Sequence, residues 1–214
     1  MQHTLSEYPQ IDQKNIKDAL SYAESLKGIP YRWCRIGEAE RIKYDEDKFW
    51  AVGSEPVSHD KILARNLSIV CTGLINLIRR HIGLSVPGAK GSLVTSKYPG
   101  TTKTWFRYLN KRNRLREMDP KESYPKGTLL LAKFKNDTED QGHVAILITE
   151  GHGGVLNESI LHAIPEISYK DSKELIDHGK TLIEPLTHSH LGWFKDRGGY
   201  YTHICLPEDW ILKD

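Results

Sequence analysis

From residue 127 onward the hydrophobic spacing changes from three- and four-residue steps to short, nearly unbroken apolar runs. These are GTLLLAKFK, GHVAILIT, ESILHAIPE and, near the end, YYTHICL. Runs of this length, rich in Ile, Leu and Val and separated by Gly, Asn, Asp and Pro, predict strands. Upstream the period is helical. Ile16, Ala19, Leu20, Ala23 and Leu26 share one helix face, with Asp12 as the expected N-cap and Gly28 as the stop. In SIVCTGLINLIRRHIGL, residues 68 to 84, Cys71, Leu74, Ile75, Ile78 and Ile82 form a second stripe, with Ser68 as expected cap and Gly83 as terminator. The stretch 84–101 reads as a glycine- and proline-rich loop, and TKTWFRYLN, residues 102 to 110, as a short helix. Helices first and strands later define an α+β class, with N-terminal helices packed on a mostly antiparallel sheet. No internal repeat or linker divides the chain, so a single domain over 1–214 is expected.

The charge balance excludes some partners. Thirty basic and 28 acidic side chains leave a net charge of +2, too even to suggest a nucleic-acid or membrane surface. No run approaches the roughly 18 apolar residues of a membrane span. The start, MQHTLSEYPQ, lacks the basic head and apolar stretch of a secretory signal. Cys34, Cys71 and Cys205 are an odd number without CxxC spacing, which favours a reducing compartment. A cytoplasmic location is the resulting expectation.

The placement of Cys71 raises the question of chemistry. A cap at Ser68 puts it in the first helical turn, where backbone N–H groups lack intrahelical partners. The positive end of the helix dipole there stabilises a thiolate and lowers its pKa, and the same N–H groups can hold an oxyanion. Gly73 leaves room for a substrate backbone. A buried cysteine on a core-facing stripe is the ordinary alternative, so a nucleophile needs a base beside it. His143 opens the strand GHVAILIT, and His162 lies within SILHAIPE. The glycine-rich EGHGGVL between them predicts a tight hairpin. With its turn centred between His152 and Gly153, His143 and His162 stand directly opposite, side chains on one face. Asp140 and Gln141 precede His143 closely enough to touch a substrate. Thiolate, imidazole and a second polar group that orients the imidazole form a complete set for acyl transfer through a thioester, with no cofactor or metal.

The order and wording of these pieces resemble the NlpC/P60 family of papain-like cysteine peptidases. The family carries Cys-Ser-Gly-Leu on a helix, a strand beginning His-Val-Gly-Ile, and a strand with a third polar residue in an Ile-His-Ala context. The corresponding residues are Cys71-Thr72-Gly73-Leu74, His143-Val144-Ala145-Ile146 and Leu161-His162-Ala163. Upstream, Gly28-Ile29-Pro30-Tyr31-Arg32-Trp33-Cys34 matches the family's Gly-x-Pro-Tyr-x-Trp-Gly-Gly, with Cys34 at the first paired glycine. The resemblance covers about residues 12 to 165. It implies a papain-like fold and a cysteine hydrolase that cleaves an amide or peptide bond, with Cys71 as nucleophile, His143 as base and His162 as orienting residue. It also nominates Tyr31, Trp33, Thr72 and Gly73, beside Asp140 and Gln141, for substrate binding. Cell-wall peptides are the family's substrates. Cysteine before histidine argues against the circularly permuted, lipid-acting branch.

Against the family pattern, an insertion spans about residues 35–67 and a C-terminal extension begins at about 166. Val70 stands where the family usually has an aspartate that binds the free amine of a stem peptide. Cys34 is open to three roles: lining the cleft beside Tyr31, pairing with Cys205, or packing. Competing functions are an acyltransferase or deamidase on the same triad, and a non-catalytic binding module. A zinc site using Cys71, His143, His162 or His188 and His190 is a further alternative, although no close-spaced ligand pair accompanies the cysteine. Trp105, Trp193 and Trp210 are read as packing residues.

Overall fold

A computed structural model describes residues 10–31, 58–64, 68–89, 92–94, 99–133, 142–150, 153–170, 173–186 and 201–211. Helix α1 runs Gln10–Ser25, α2 His59–Ala64, α3 Cys71–His81, α4 Thr102–Lys111 and α5 Pro207–Ile211. The strands are β1 Arg116–Glu117, β2 Leu129–Lys133, β3 Gly142–Leu147, β4 Ser159–Lys170, β5 Lys173–Pro185 and β6 Tyr201–Cys205. They form one six-stranded sheet in the order β1-β6-β2-β3-β4-β5, with every neighbouring pair antiparallel. The α+β reading therefore stands.

Strand periodicity separates two apolar layers. Leu129, Leu131, Val144, Ile146, Leu161 and Ala163 face the helices, packing against Ile16, Ala19, Ala23, Leu74, Ile75, Ile78 and Trp105. Leu130, Ala132, Ala145, Leu147 and Ile160 point the other way, with Tyr124, Val155, Leu186, Tyr201 and Ile204. The buried Arg79 guanidinium on α3 ties the helical layer together. It donates to the Trp210 carbonyl at 2.6 Å, the Ser85 carbonyl at 2.9 Å and the Tyr108 hydroxyl at 3.3 Å. The Trp105 indole N–H donates to Asn76 Oδ1 at 2.9 Å, and that of Trp210 to the Gly127 carbonyl at 2.8 Å. Trp105 and Trp210 are thus packing residues, as their sequence context suggests; Trp193 lies outside the described residues.

Two local expectations need correction. Helix α1 has already begun at Gln10, so Asp12 sits inside it rather than at its cap. Helix α3 is capped by Val70 in extended conformation, with no side-chain hydrogen bond, and Ser68 has no capping role. The cause is tertiary: Ile69 donates its N–H to the Pro30 carbonyl at 2.9 Å and bridges Tyr31 in parallel fashion. That pairing holds the approach extended, so the helix cannot start before Cys71. The extension from about 166 supplies β5, β6 and α5. Strand β6 lies between β1 and β2, and Trp210 of α5 is fully buried.

The loop from β3 to β4 is longer than a tight hairpin. Among its described residues it contains a 3-10 turn, Val155–Asn157, with Gly153 and Gly154 at φ 84° and 105°, where side-chain-bearing residues are strained. The observed pairs are Ile146↔Leu161 and Leu147↔Ile160, which shift the register by two residues from the expected one. His143 and His162 are consequently diagonal neighbours instead of direct partners. Since the side-chain period is two, an even shift leaves both on the same face.

Candidate active site

The geometry follows from where the β3–β4 ladder ends. Even-numbered residues of β3 direct their backbone groups toward β4, as in the Ile148 N–H bond to the Ser159 carbonyl at 2.9 Å. The ladder stops at Ile146↔Leu161, while β4 continues with β5 as far as Lys170. Gly142 C=O and Val144 N–H, further up β3, lie beyond that ladder. Helix α3 sets Cys71 against them. The Cys71 thiol donates to the Gly142 carbonyl at 3.9 Å, and the Val144 N–H lies close enough to the sulfur to favour its thiolate. The thiol therefore lies against the backbone on both sides of His143.

Cys71 is the first residue of α3, and its own N–H and that of Thr72 also favour the thiolate. The missing side-chain cap leaves these first-turn donors to the thiol. Burial nevertheless outweighs them and raises the thiol pKa to about 11. This reverses the expectation of a lowered value, because the thiol is enclosed on the core side of the sheet and desolvation dominates. Ionising it at neutral pH costs about 5 kcal/mol. Ionisation of this thiol near neutral pH would require a base that pairs with the thiolate it creates.

His143 and His162 are both buried. His143 Nε2 lies 3.1 Å from His162 Nδ1, with the rings nearly perpendicular. His162 Nε2 lies 2.6 Å from Glu184 Oε1. Glu184 belongs to β5, where Leu182 pairs with His162, so Glu184 is its diagonal neighbour on the same face. Three polar side chains on three adjacent strands thus form one hydrogen-bonded line, His143–His162–Glu184. Tyr201 of β6 borders it, with its ring centroid 6.0 Å from that of His143. Burial raises the Tyr201 pKa well above its usual value, and nearby Cys71 and Glu184 raise it further.

Tyr31 is buried and held close to helix α3. The Gly28–Tyr31 strip runs along β5: Gly28 N–H donates to Thr181 O and Tyr31 N–H to Gly179 O, each at 2.8 Å. The Tyr31↔Ile69 bridge then fixes it two residues before Cys71. Thr72 and Gly73 are buried in the first turn of α3. Val70 is half-buried against the helix-side core. Trp33, Asp140, Gln141, Cys34, His188 and His190 lie outside the described residues. Cys205 is a free buried thiol, which removes the pairing with Cys34. Among the described residues no group of three or more His, Cys, Asp or Glu is placed to hold a metal ion.

Sequence reasoning missed Glu184 and Tyr201. The signal for Glu184 is faint: TLIEP alternates over only a few residues, and a polar KDSK at 170–173 marks a turn. Its diagonal position follows from pairing β5 with β4 around that turn.

No family profile and no curated protein matches the sequence. Among solved structures, the peptidoglycan hydrolase RipB from Mycobacterium tuberculosis aligns with a TM-score of 0.45 at 15% identity, over 95% of this chain and 70% of that one. The P60 domain of antigen MAP1204 from M. avium subspecies paratuberculosis aligns with a TM-score of 0.44 at 15% identity, over 92% and 97%. Both likenesses are distant. The functional reading rests on the side chains.

Proposed function

We propose that this protein is a cysteine hydrolase that cleaves an amide bond through a thioester on Cys71. The observation that carries the proposal is the Cys71 thiol seated against the backbone on both sides of His143, whose ring is hydrogen-bonded to His162. His143 Nε2 is engaged by His162, so in this mechanism the thiol proton passes to His143 Nδ1. The thiolate adds to the substrate carbonyl carbon, and first-turn N–H groups of α3 stabilise the oxyanion. The imidazolium then protonates the departing amine as the C–N bond breaks. Water, deprotonated by the same imidazole, hydrolyses the thioester and returns the thiol. The resemblance to NlpC/P60 peptidases supports a peptide substrate, with cell-wall peptides as the first class to assay.

A raised thiol pKa fits this reading. It keeps the resting nucleophile protonated, so the thiolate forms together with the imidazolium that stabilises it. The test is turnover of peptide amides, muropeptides included, by the protein and its Cys71→Ala and Cys71→Ser variants. Loss of turnover in both, with unchanged circular dichroism, is the expected result. Full activity in Cys71→Ala would overturn the assignment.

A further inference from the structure

The line of hydrogen bonds does not stop at His162, and its far end carries information about protons. An ionised carboxylate only accepts hydrogen bonds, so at 2.6 Å Glu184 Oε1 takes its proton from His162 Nε2. A neutral imidazole with its proton on Nε2 has a lone pair on Nδ1. His162 Nδ1 is the atom 3.1 Å from His143 Nε2, so His143 supplies the proton of that bond. Its own lone pair is then on Nδ1, the nitrogen the reaction requires. Without an acceptor beside His162 Nε2 the chain of tautomers has no fixed direction. His162 could then hold its proton on Nδ1 and donate to His143 Nε2, which would place the His143 proton on the nitrogen needed as base.

We propose that Glu184 is a positioning residue that sets the tautomers of both histidines and stabilises the His143 imidazolium through His162. The inference rests on the reading of Cys71, His143 and His162 as the catalytic set, but acts through the histidines alone. Glu184 touches neither thiol nor substrate in this role. When His143 gains the thiol proton, the positive charge is shared along the line toward the carboxylate two hydrogen bonds away. Glu184 is 28% exposed by side chain, which leaves the carboxylate partly solvated while His162 stays buried. Among the described residues, Tyr201 and Cys71 are titratable groups beside this line, and burial raises the pKa of both, which keeps them uncharged in the resting state.

The experiment uses the full-length protein labelled with 15N in its histidine rings, with Glu184→Gln, Glu184→Ala and Glu184→Asp beside the wild type. Long-range proton–nitrogen spectra at about pH 7.5, above the ordinary histidine range, read the tautomers directly. Alkylation of Cys71 by iodoacetamide reads the reactivity of the thiol without any substrate. The expected result is an Nε2–H tautomer at both His143 and His162 in the wild type. Glu184→Gln and Glu184→Ala should mix the tautomers and slow alkylation by about tenfold or more, and Glu184→Asp should restore part of both. A role in packing alone would lower thermal stability and leave tautomers and alkylation rate unchanged, which would overturn the proposal. So would an Nδ1–H or doubly protonated His162 in the wild type. Should the tautomers be as expected while Cys71→Ala keeps its turnover, the hydrolase reading fails and the role of Glu184 in the histidine pair stands.

Discussion

Glu158, at the start of the strand that carries His162, offers a sharp test of the electrostatics. Its side chain is 1% exposed, and neither carboxyl oxygen has a hydrogen-bond partner among the described residues. Its backbone carbonyl accepts from the Leu186 N–H at 2.7 Å, so the residue is pinned where β5 ends. Burial raises the carboxyl pKa from 4.5 to about 7. The folded state therefore keeps a proton that the unfolded chain gives up between those values. A raised carboxyl pKa leaves folding undisturbed below 4.5, and stability is lost as pH rises through about 7. Above that the loss is complete at about 3 kcal/mol. Glu158→Gln fills the same space with a group that never ionises. Urea unfolding of both proteins at about pH 4 and about pH 8 measures the difference. The expected gap is near zero at the lower pH, and the variant is more stable by about 3 kcal/mol at the higher. A gap independent of pH, or a less stable variant at about pH 8, would refute the argument that desolvation dominates this carboxyl.

Other outcomes can be stated as directly. In His143→Ala the thiol titrates without a partner, so iodoacetamide alkylation of Cys71 should climb about tenfold per pH unit from about pH 7 toward about pH 10, reflecting its pKa of about 11; a plateau below about pH 9 would contradict that value. A Cβ on Gly142 would lie 2.6 Å from the Ala132 carbonyl and collide with the Thr102 side chain. Gly142→Ala should therefore open the start of β3, destabilise by about 2 kcal/mol or more in chemical denaturation, and lose turnover, whereas wild-type stability would show that the strand yields freely. Arg79→Met removes the donor to the Trp210, Ser85 and Tyr108 oxygens and should cost about 3 kcal/mol, read as a lower urea midpoint. Val70 presents an apolar surface beside Cys71, so matched amide substrates with an acetylated amino end should be cleaved faster than those with a free amine, whose unpaired charge would be costly to desolvate; faster cleavage of the free amine would place a carboxylate at that subsite from elsewhere.

Much of the framework is carried by local pattern. The stripes of α1 and α3, the apolar runs of β2, β3, β4 and β6, and the helix over 102–111 lie where periodicity puts them, because each buries a face that its own sequence defines. The shared face of His143 and His162 was also readable. It depends on parity alone, and the two-residue error in register left parity intact. What tertiary structure decided is of another kind. The start of α3 moved from Ser68 to Val70 because Tyr31 and Pro30, some forty residues away, pair with Ile69. The direction of the Cys71 pKa reversed because enclosure outweighs the helix terminus, and enclosure belongs to the packed layers rather than to the helix. Glu184 reached His162 only when β5 paired with β4, and Tyr201 joined them because β6 entered the sheet between β1 and β2. Periodicity within a segment fixes which way a side chain faces. Which distant side chain it meets there depends on strand order and register, and these are set by how the whole chain closes over its core.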